Sequence, residues 1–390
     1  MNSQTLTIYG AVTRLPLQYD SSSTKIKIKG IRDRLKCKLG NFSSLDYRDY
    51  LAPGSYNKGD LAIAQSVTQK VQTISNVRNI DFVNWGELYQ KSNSDPVLIS
   101  GSGYIHITKN HSIADRLRKD LDYFLATGRS YALHGVGVNM SVINSSGTTT
   151  VIDRESQYIL QKLVAGAKQV SVRDYNSQKI FEKFTGRNVT VIADPALFLK
   201  DAFEDSLDKR ISEKLTIGIT IPFHGPAATD RVRHDLFRYI KFLKALQQRT
   251  GCNFIQTIHF DSEFIIGKII QDHGVRMTQA VGNVQVLINA YRQMDFHIGG
   301  MLHSCILSAS VGTPCIGLAY DVKHQGFFDL LGQPDLCIPA EPFDPERLGA
   351  ACDHVLSQSA IIREQINTRR AELEGESNRF LTQTLQSLLR

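Results

Sequence analysis

No stretch of this 390-residue sequence approaches the roughly 18 consecutive apolar residues needed to cross a bilayer. Its start, Met1-Asn2-Ser3-Gln4-Thr5, has neither the charged opening nor the long apolar run of a secretory signal. The six cysteines (Cys37, Cys252, Cys305, Cys315, Cys337 and Cys352) form no C-x-x-C pair, and most sit in apolar surroundings such as Cys315-Ile316-Gly317. They are expected to be reduced core thiols rather than a disulfide framework. These absences together set the expected location in the cytoplasm, with the inner face of the membrane as the alternative setting. There is no P-loop, no G-x-S-x-G elbow and no H-E-x-x-H. Gly101-Ser102-Gly103 and Gly135-Val136-Gly137 each lack the third glycine of a dinucleotide fingerprint. His106 and His111 are spaced wrongly for a metal pair on one face, so no metal site is expected. The net charge of +7 is mild for this length. Without an aromatic-interleaved basic run or zinc-finger spacing, no nucleic-acid partner is expected. A weakly basic surface suits anionic substrates, or contact with an anionic membrane face.

What is present is an α/β pattern. The apolar fraction of 42% can bury two cores, and the length suits two domains of about 150–200 residues each. Short apolar strands alternate with amphipathic helices, which implies parallel sheets covered on both faces. Strands are expected at Leu6 to Val12, Asn79 to Val83, Val97 to Ser100, Tyr131 to Leu133, Gln169 to Val172 and Val189 to Ile192. Ile113, Leu117, Leu121 and Leu125 mark a helix among them. The alternation lapses in the polar stretch Asp201 to Lys214 and restarts at Leu215 to Ile221. This gives an N-terminal domain over 1–205 and a C-terminal domain over 206–390, the latter closing with a long helical segment at about 359–389. One insertion, about 14–53, interrupts the first domain. Within it Thr24 to Leu39 carries Lys25, Lys27, Lys29, Arg32, Arg34, Lys36 and Lys38. Lysines alternating with Ile26 and Ile28 predict an edge β-strand. The competing reading is a basic patch for acidic lipid or an anionic acceptor.

Four constellations fall at strand-to-helix junctions, where doubly wound sheets bind ligands. Asn57-Lys58-Gly59-Asp60 precedes a helix; Asp60 either caps it or accepts a proton from an attacking hydroxyl. Gly101-Ser102-Gly103 follows a strand and is either a tight turn or a place for a ligand to reach backbone N–H groups. Arg173 follows another strand and can grip a carboxylate or phosphate, or pair with Asp174 or Asp194. Gly299-Gly300-Met301-Leu302-His303-Ser304 opens a helix whose N–H groups make an anion site, and Lys323 follows the next strand. A histidine there can bind phosphate or donate a proton to a leaving group.

Together these residues resemble the polysaccharide pyruvyl transferase family. The matching pieces are Asn57-Lys58-Gly59-Asp60, Gly101-Ser102-Gly103, His134-Gly135-Val136-Gly137, Ser171-Val172-Arg173-Asp174, Ala193-Asp194-Pro195-Ala196-Leu197, Leu302-His303, Gly312-Thr313-Pro314 and Tyr320-Asp321-Val322-Lys323. They stand in the family's order from about 54 to 330. The resemblance implies a GT-B-like pair of Rossmann-like domains facing a cleft, the first expected on the acceptor side and the second on the donor side. It implies transfer of a pyruvyl group from phosphoenolpyruvate to hydroxyls of a polysaccharide or its lipid-linked precursor, with no metal or nucleotide cofactor. Arg173, His303, Ser304 and Lys323 would then hold the donor, and Asn57, Lys58, Asp60, Gly101, Ser102 and Gly103 the acceptor. His303 and Asp60 would carry the chemistry. The family usually has a basic residue two places before the histidine, where this chain has Met301. That change keeps open a glycosyltransferase using a nucleotide-activated sugar, and beyond it a non-catalytic glycan-binding protein.

Overall fold

A computed structural model describes residues 5–11, 24–42, 45, 57–90, 94–108, 110–140, 151–199, 213–220, 229–260 and 262–390. The expected linker and the ends of the insertion lie largely outside these residues.

The first domain is built on a parallel sheet. Its strands are β1 (Thr5–Gly10), β2 (Asn79–Asn84), β3 (Val97–Ser100), β5 (Tyr131–Val136), β7 (Val170–Val172) and β8 (Thr190–Val191), in the order β2-β1-β3-β5-β7-β8. Every residue of β3 and β5 is buried, as expected of central strands covered on both faces. The covering helices are α2 (Lys58–Ile74), α3 (Asp115–Thr127), α4 (Arg154–Gly166) and α5 (Tyr175–Thr185). Two short strands missed by pattern reading, β4 (Ile105–Ile107) and β6 (Val138–Met140), pair in parallel beside the main sheet. In α3 the inward face holds Leu117, Asp120, Leu121 and Phe124, while Leu125 is left exposed. Asp120 is retained in that core because the hydroxyls of Tyr9, Tyr89 and Tyr104 all donate to it, at 2.9, 2.5 and 2.8 Å.

The second domain repeats the scheme with β9 (Thr216–Ile219), β10 (Asn253–Thr257), β11 (Met277–Ala280), β12 (Phe296–Gly299), β13 (Cys315–Ala319) and β14 (Cys337–Pro339). Their order is β11-β10-β9-β12-β13-β14, the 3-2-1-4-5-6 arrangement of a dinucleotide-binding sheet. Its helices are α6 (Thr229–Thr250), α7 (Ser262–Asp272), α8 (Val284–Arg292), α9 (Leu302–Ser310) and α10 (Val322–Leu331). The last helix, α11 (Pro345–Leu388), bends at Gln358 and returns to the first domain. Glu374 there pairs with Lys70 of α2, and Phe380 stacks on His134 of β5 at 6.1 Å between ring centres. All six cysteines are buried and unpaired.

The insertion does not form the expected edge strand. Thr24–Lys38 is an α-helix, α1. The strict alternation covers only Lys25 to Lys29; beyond it Gly30, Asp33 and Cys37 recur at helical spacing and form the buried face. A helix also satisfies its own backbone groups where no neighbouring strand is on offer.

Candidate active site

Ligands of doubly wound sheets bind beyond the strand ends where the order reverses. The reversal falls between β1 and β3 in the first sheet and between β9 and β12 in the second. The candidate residues cluster at these two places and along the seam between them.

At the first, the chain leaves β3 through Gly101 and Ser102, with φ of 60° and 58°. A serine in this left-handed region costs about 1 kcal/mol or more and persists only where surroundings enforce it. Here the Gly101 N–H donates to the His134 carbonyl and the Gly137 N–H to the Ser102 carbonyl, both at 2.8 Å. Asn57, not Asp60, caps α2, its side-chain oxygen accepting from the Gly59 N–H at 2.9 Å. Asp60 is therefore spared, and its buried Oδ1 has no hydrogen-bond partner among the described residues. With Ser100, whose Oγ is equally unsatisfied, and Ser102, it lines a narrow cavity closed by Gly10 and Ala11 at the end of β1. Lys58 is buried, and its N–H donates to the His259 carbonyl of the second domain at 3.4 Å.

At the second, β12 ends in Gly299-Gly300 and α9 begins after Met301, a cap residue whose side chain accepts nothing from the helix. The positive end of α9 is thus uncapped, as an anion site requires. His303 is its second residue. Ser304 is turned inward: its hydroxyl donates to the Met301 carbonyl at 2.7 Å and bonds the Thr220 hydroxyl at 2.8 Å. It braces the turn and is not exposed to a donor, contrary to its expected donor-binding part.

The two places meet at His303. A Cβ on Gly59 would stand 2.1 Å from His303 Cγ and Nδ1, so the first turn of α2 lies flat on the imidazole. The opposite ring nitrogen, Nε2, points to Asp194 at 3.8 Å, beyond hydrogen-bond reach. The same Asp194 oxygen accepts from Arg173 Nη1 at 3.3 Å, while Arg173 Nη2 donates to Asn139 at 3.3 Å and Nε lies 3.6 Å from Asp174. A Cβ on Gly137 would fall 2.2 Å from that Nε, so only glycine lets the guanidinium lie here. Both carboxylate pairings foreseen for Arg173 occur, yet Arg173 Nε and His303 Nε2 remain buried without a hydrogen bond among the described residues. Burial raises the Asp194 pKa, but His303, Arg173 and the Ala196 N–H outweigh it and hold the group below the usual carboxylate range.

Lys323 enters from α10. Its Nζ lies 3.6 Å from Asp321 and 5.3 Å from the Tyr320 ring centre. Burial lowers its pKa, but Tyr320 and Asp321 outweigh that and the repulsion of Arg173, leaving it raised and the amine charged. The start of α10 presses on α5, with Asn176 donating to the Val322 carbonyl at 3.0 Å. Burial, then the charges of Lys323, Arg173 and His303, push the His324 pKa down to about 3. A Cβ on Gly326, further along α10, would stand 3.0 Å from Asp174 Cβ, so the helix that carries Lys323 packs on the carboxylate beside Arg173. The structure thus brings Arg173 and His303 to one carboxylate, Asp194, with Asp60 one residue beyond the Gly59 contact, and sets α10, which carries Lys323, against Asp174. The sequence offers no sign of Asn139 as a site residue, and it presents Asp194 as a partner for Arg173 and as part of the matching piece Ala193–Leu197, without a role of its own. Asp194 follows a strand end like the others, which was signal enough. Asn139 lies on β6, a strand too short to register.

Two Rossmann-like domains that meet where α2 packs on His303 have the GT-B architecture. The polysaccharide pyruvyl transferase family model matches residues 57–322, most of the chain, and the protein belongs to that family. No curated protein matches it. Among solved structures it is similar to the S. aureus MnaA–UDP complex, at 12% identity and TM-score 0.50, covering 93% of this chain and 90% of that one. It is also similar to UDP-GlcNAc 2-epimerase from Neisseria meningitidis bound to UDP-GlcNAc (9% identity, TM-score 0.49, covering 98% and 99%). A third is a UDP-forming α,α-trehalose-phosphate synthase from Burkholderia vietnamiensis (10%, 0.47, 97% of each chain).

The Gly59 contact yields a test of the site. In a helix, alanine ordinarily stabilises by about 1 kcal/mol over glycine. Gly59→Ala is expected to do the reverse and to lower kcat/KM about 100-fold, because the methyl displaces His303 by an ångström or more. A melting temperature above wild type with unchanged transfer would refute the contact.

Proposed function

We propose that this protein transfers a pyruvyl group from phosphoenolpyruvate to hydroxyls of a polysaccharide or its lipid-linked precursor, and that it does so without a metal or nucleotide cofactor. The observation that carries the reading is the pair Arg173 and His303 on one Asp194 oxygen at the uncapped start of α9, with Lys323 at the start of the helix that packs on Asp174. Phosphoenolpyruvate has two anionic ends, a phosphate and a carboxylate, and each needs cationic or N–H partners. In this reading the phosphate lies at the α9 terminus beside His303, and Arg173 and Lys323 neutralise the remaining charge. Protonation of the methylene carbon makes the central carbon electrophilic. A sugar hydroxyl then adds to it, its proton going to Asp60, whose free oxygen lines the neighbouring cavity. Phosphate departs with a proton from His303. If a second hydroxyl of the sugar takes its place on the same carbon, the product is a ketal; the proton passed to Asp60 balances the one gained by the methylene carbon, and the second hydroxyl's proton restores the one His303 gave to phosphate.

His303→Ala is expected to slow phosphate release from phosphoenolpyruvate, in the presence of saccharide acceptors, by at least about 100-fold. Release at the wild-type rate would move the chemistry elsewhere. Met301, apolar and buried where the family usually carries a cation, favours the second reading, a nucleotide-activated sugar as donor. Under that reading the same assay shows no phosphate from phosphoenolpyruvate, and a nucleoside diphosphate appears when a nucleotide sugar is supplied.

A further inference from the structure

The helix α1 has a face that the crevice does not use. Its inner face is fixed to the second domain. Arg34 grips Asp272 of α7 through two bonds of 2.7 Å, and the Cys37 carbonyl bonds the His273 ring at 3.1 Å. Just beyond the helix, Phe42 stacks on the same His273 at 5.7 Å between ring centres. Gly30, Asp33 and Cys37 are buried against this support.

The outer face is apolar and open. Ile28, Ile31, Leu35 and Leu39 are 62, 59, 60 and 88% exposed. At 3.6 residues per turn these four fall within about 80° of arc. Lys27 and Lys38 flank the stripe on one side, and Arg32 and Lys36 on the other. Beside it an open groove of about 240 Å3, lined by Ile31, Leu35, Arg34 and Lys38, runs down to Asp272. The charge is as lopsided as the hydrophobicity. The helix holds seven basic residues and one acid, a net +6, against +7 for the entire chain. The acid, Asp33, is buried and paired with Lys29. Lys29 and Arg34 are taken up by Asp33 and Asp272, and Lys27, Arg32, Lys36 and Lys38 border the exposed apolar stripe.

We infer that α1 is a docking helix for an anionic lipid surface, lying in the plane of the interface with its stripe among the headgroups and acyl-chain ends. An apolar stripe bordered by Lys and Arg is the pattern by which helices bind such surfaces: apolar burial and electrostatic attraction act together. No helix among the described residues is long and apolar enough to cross a membrane, so this is contact with a surface. Because α1 is bolted to α7, docking would hold the second domain at a fixed angle to the lipid. The inference does not depend on the identity of the donor.

The test is co-sedimentation of the full chain with vesicles of phosphatidylcholine, with and without 30% phosphatidylglycerol added. Binding is expected to the phosphatidylglycerol vesicles alone, weakened at least tenfold between about 0.1 and 0.5 M salt as screening shortens the reach of the lysines. Ile31→Glu with Leu35→Glu should abolish it. Lys27→Glu with Lys38→Glu should weaken it at least tenfold. Both pairs are exposed and none of the four is among the site residues, so turnover of a soluble acceptor should be unchanged in each. Equal binding to both vesicle types, no binding by the wild type, or undiminished binding by Ile31→Glu/Leu35→Glu would overturn the inference. So would sedimentation of the wild type as a dimer that the same double variant breaks.

Discussion

Arg173→Ala is expected to lose transfer activity by about 1,000-fold or more and to be destabilised by about 3–5 kcal/mol. The two losses have one origin. The guanidinium is 4% exposed and stands between two buried carboxylates, Asp194 at 3.3 Å and Asp174 at 3.6 Å. Removing it leaves both without their nearest cation in a medium that solvates them poorly. It also removes a buried Nε that pairs with Asp174 at 3.6 Å but makes no hydrogen bond among the described residues, and so can still donate to a substrate anion. Arg173→Lys separates the effects. An ammonium restores a charge near Asp194 and should recover most of the stability. It cannot span Asp194 and Asn139 while offering a third nitrogen, so affinity for the donor should stay at least tenfold down. Urea melts with steady-state KM for phosphoenolpyruvate measure both. Arg173→Ala turning over like wild type would remove Arg173 from the site.

Acidification should produce the second large effect. His134, His297 and His324 are buried, and burial pushes their pKa values down to about 4, 3 and 3, from an ordinary value near 6.5. In each, one ring nitrogen has no hydrogen-bond partner among the described residues. As pH falls below about 6.5, the unfolded chain takes up protons that the native state refuses, so stability falls with pH. Each histidine contributes about 1.4 kcal/mol per pH unit inside its window, and three together about 4 kcal/mol per unit near pH 5. Asp194 does not add to this loss: its pKa is held below the usual range, so its contribution disappears only at still lower pH. Asp120 and Asp174, raised chiefly by burial, work in the opposite direction as they take up protons in the native state, and blunt the slope at the acid end. Urea unfolding at half-unit steps from pH 6.5 to 5.0 should show this slope, reduced by about a third in His134→Asn. A flat profile would mean that these rings protonate in the folded protein.

Much of this architecture was legible because parallel strands buried on both faces leave unbroken apolar runs. Val97 to Ser100 coincides with its strand to the residue. Met277–Ala280 was missed because an edge strand carrying Thr278 and Gln279 has no apolar run to see. The α3 face was read with Leu125 in place of Phe124, an error of one residue on the helix. Asp120 could not be expected in a core, since nothing local says that Tyr9, Tyr89 and Tyr104 converge on it. The helix α1 was misread because five residues of alternation, Lys25 to Lys29, outweighed nine of helical spacing, Gly30 to Lys38.

For the site, the residue types and their junctions were visible, and their mutual geometry was not. In the sequence Gly59 and Gly137 stand only as members of the matching pieces Asn57–Asp60 and His134–Gly137. The structure gives them a task, making room for His303 and Arg173. Ser304 was assigned to the donor by adjacency to His303. Successive helical residues point about 100° apart, and that rotation turns it into the core.

The central claim is that Arg173, His303 and Lys323 together hold a small molecule with both a phosphate and a carboxylate. Calorimetric titration with phosphoenolpyruvate, and in parallel with a panel of nucleotide sugars, tests it most directly. The expected result is one phosphoenolpyruvate per chain, bound at least tenfold more weakly after Lys323→Ala, and no heat from the nucleotide sugars. Heat from a nucleotide sugar and none from phosphoenolpyruvate would contradict it.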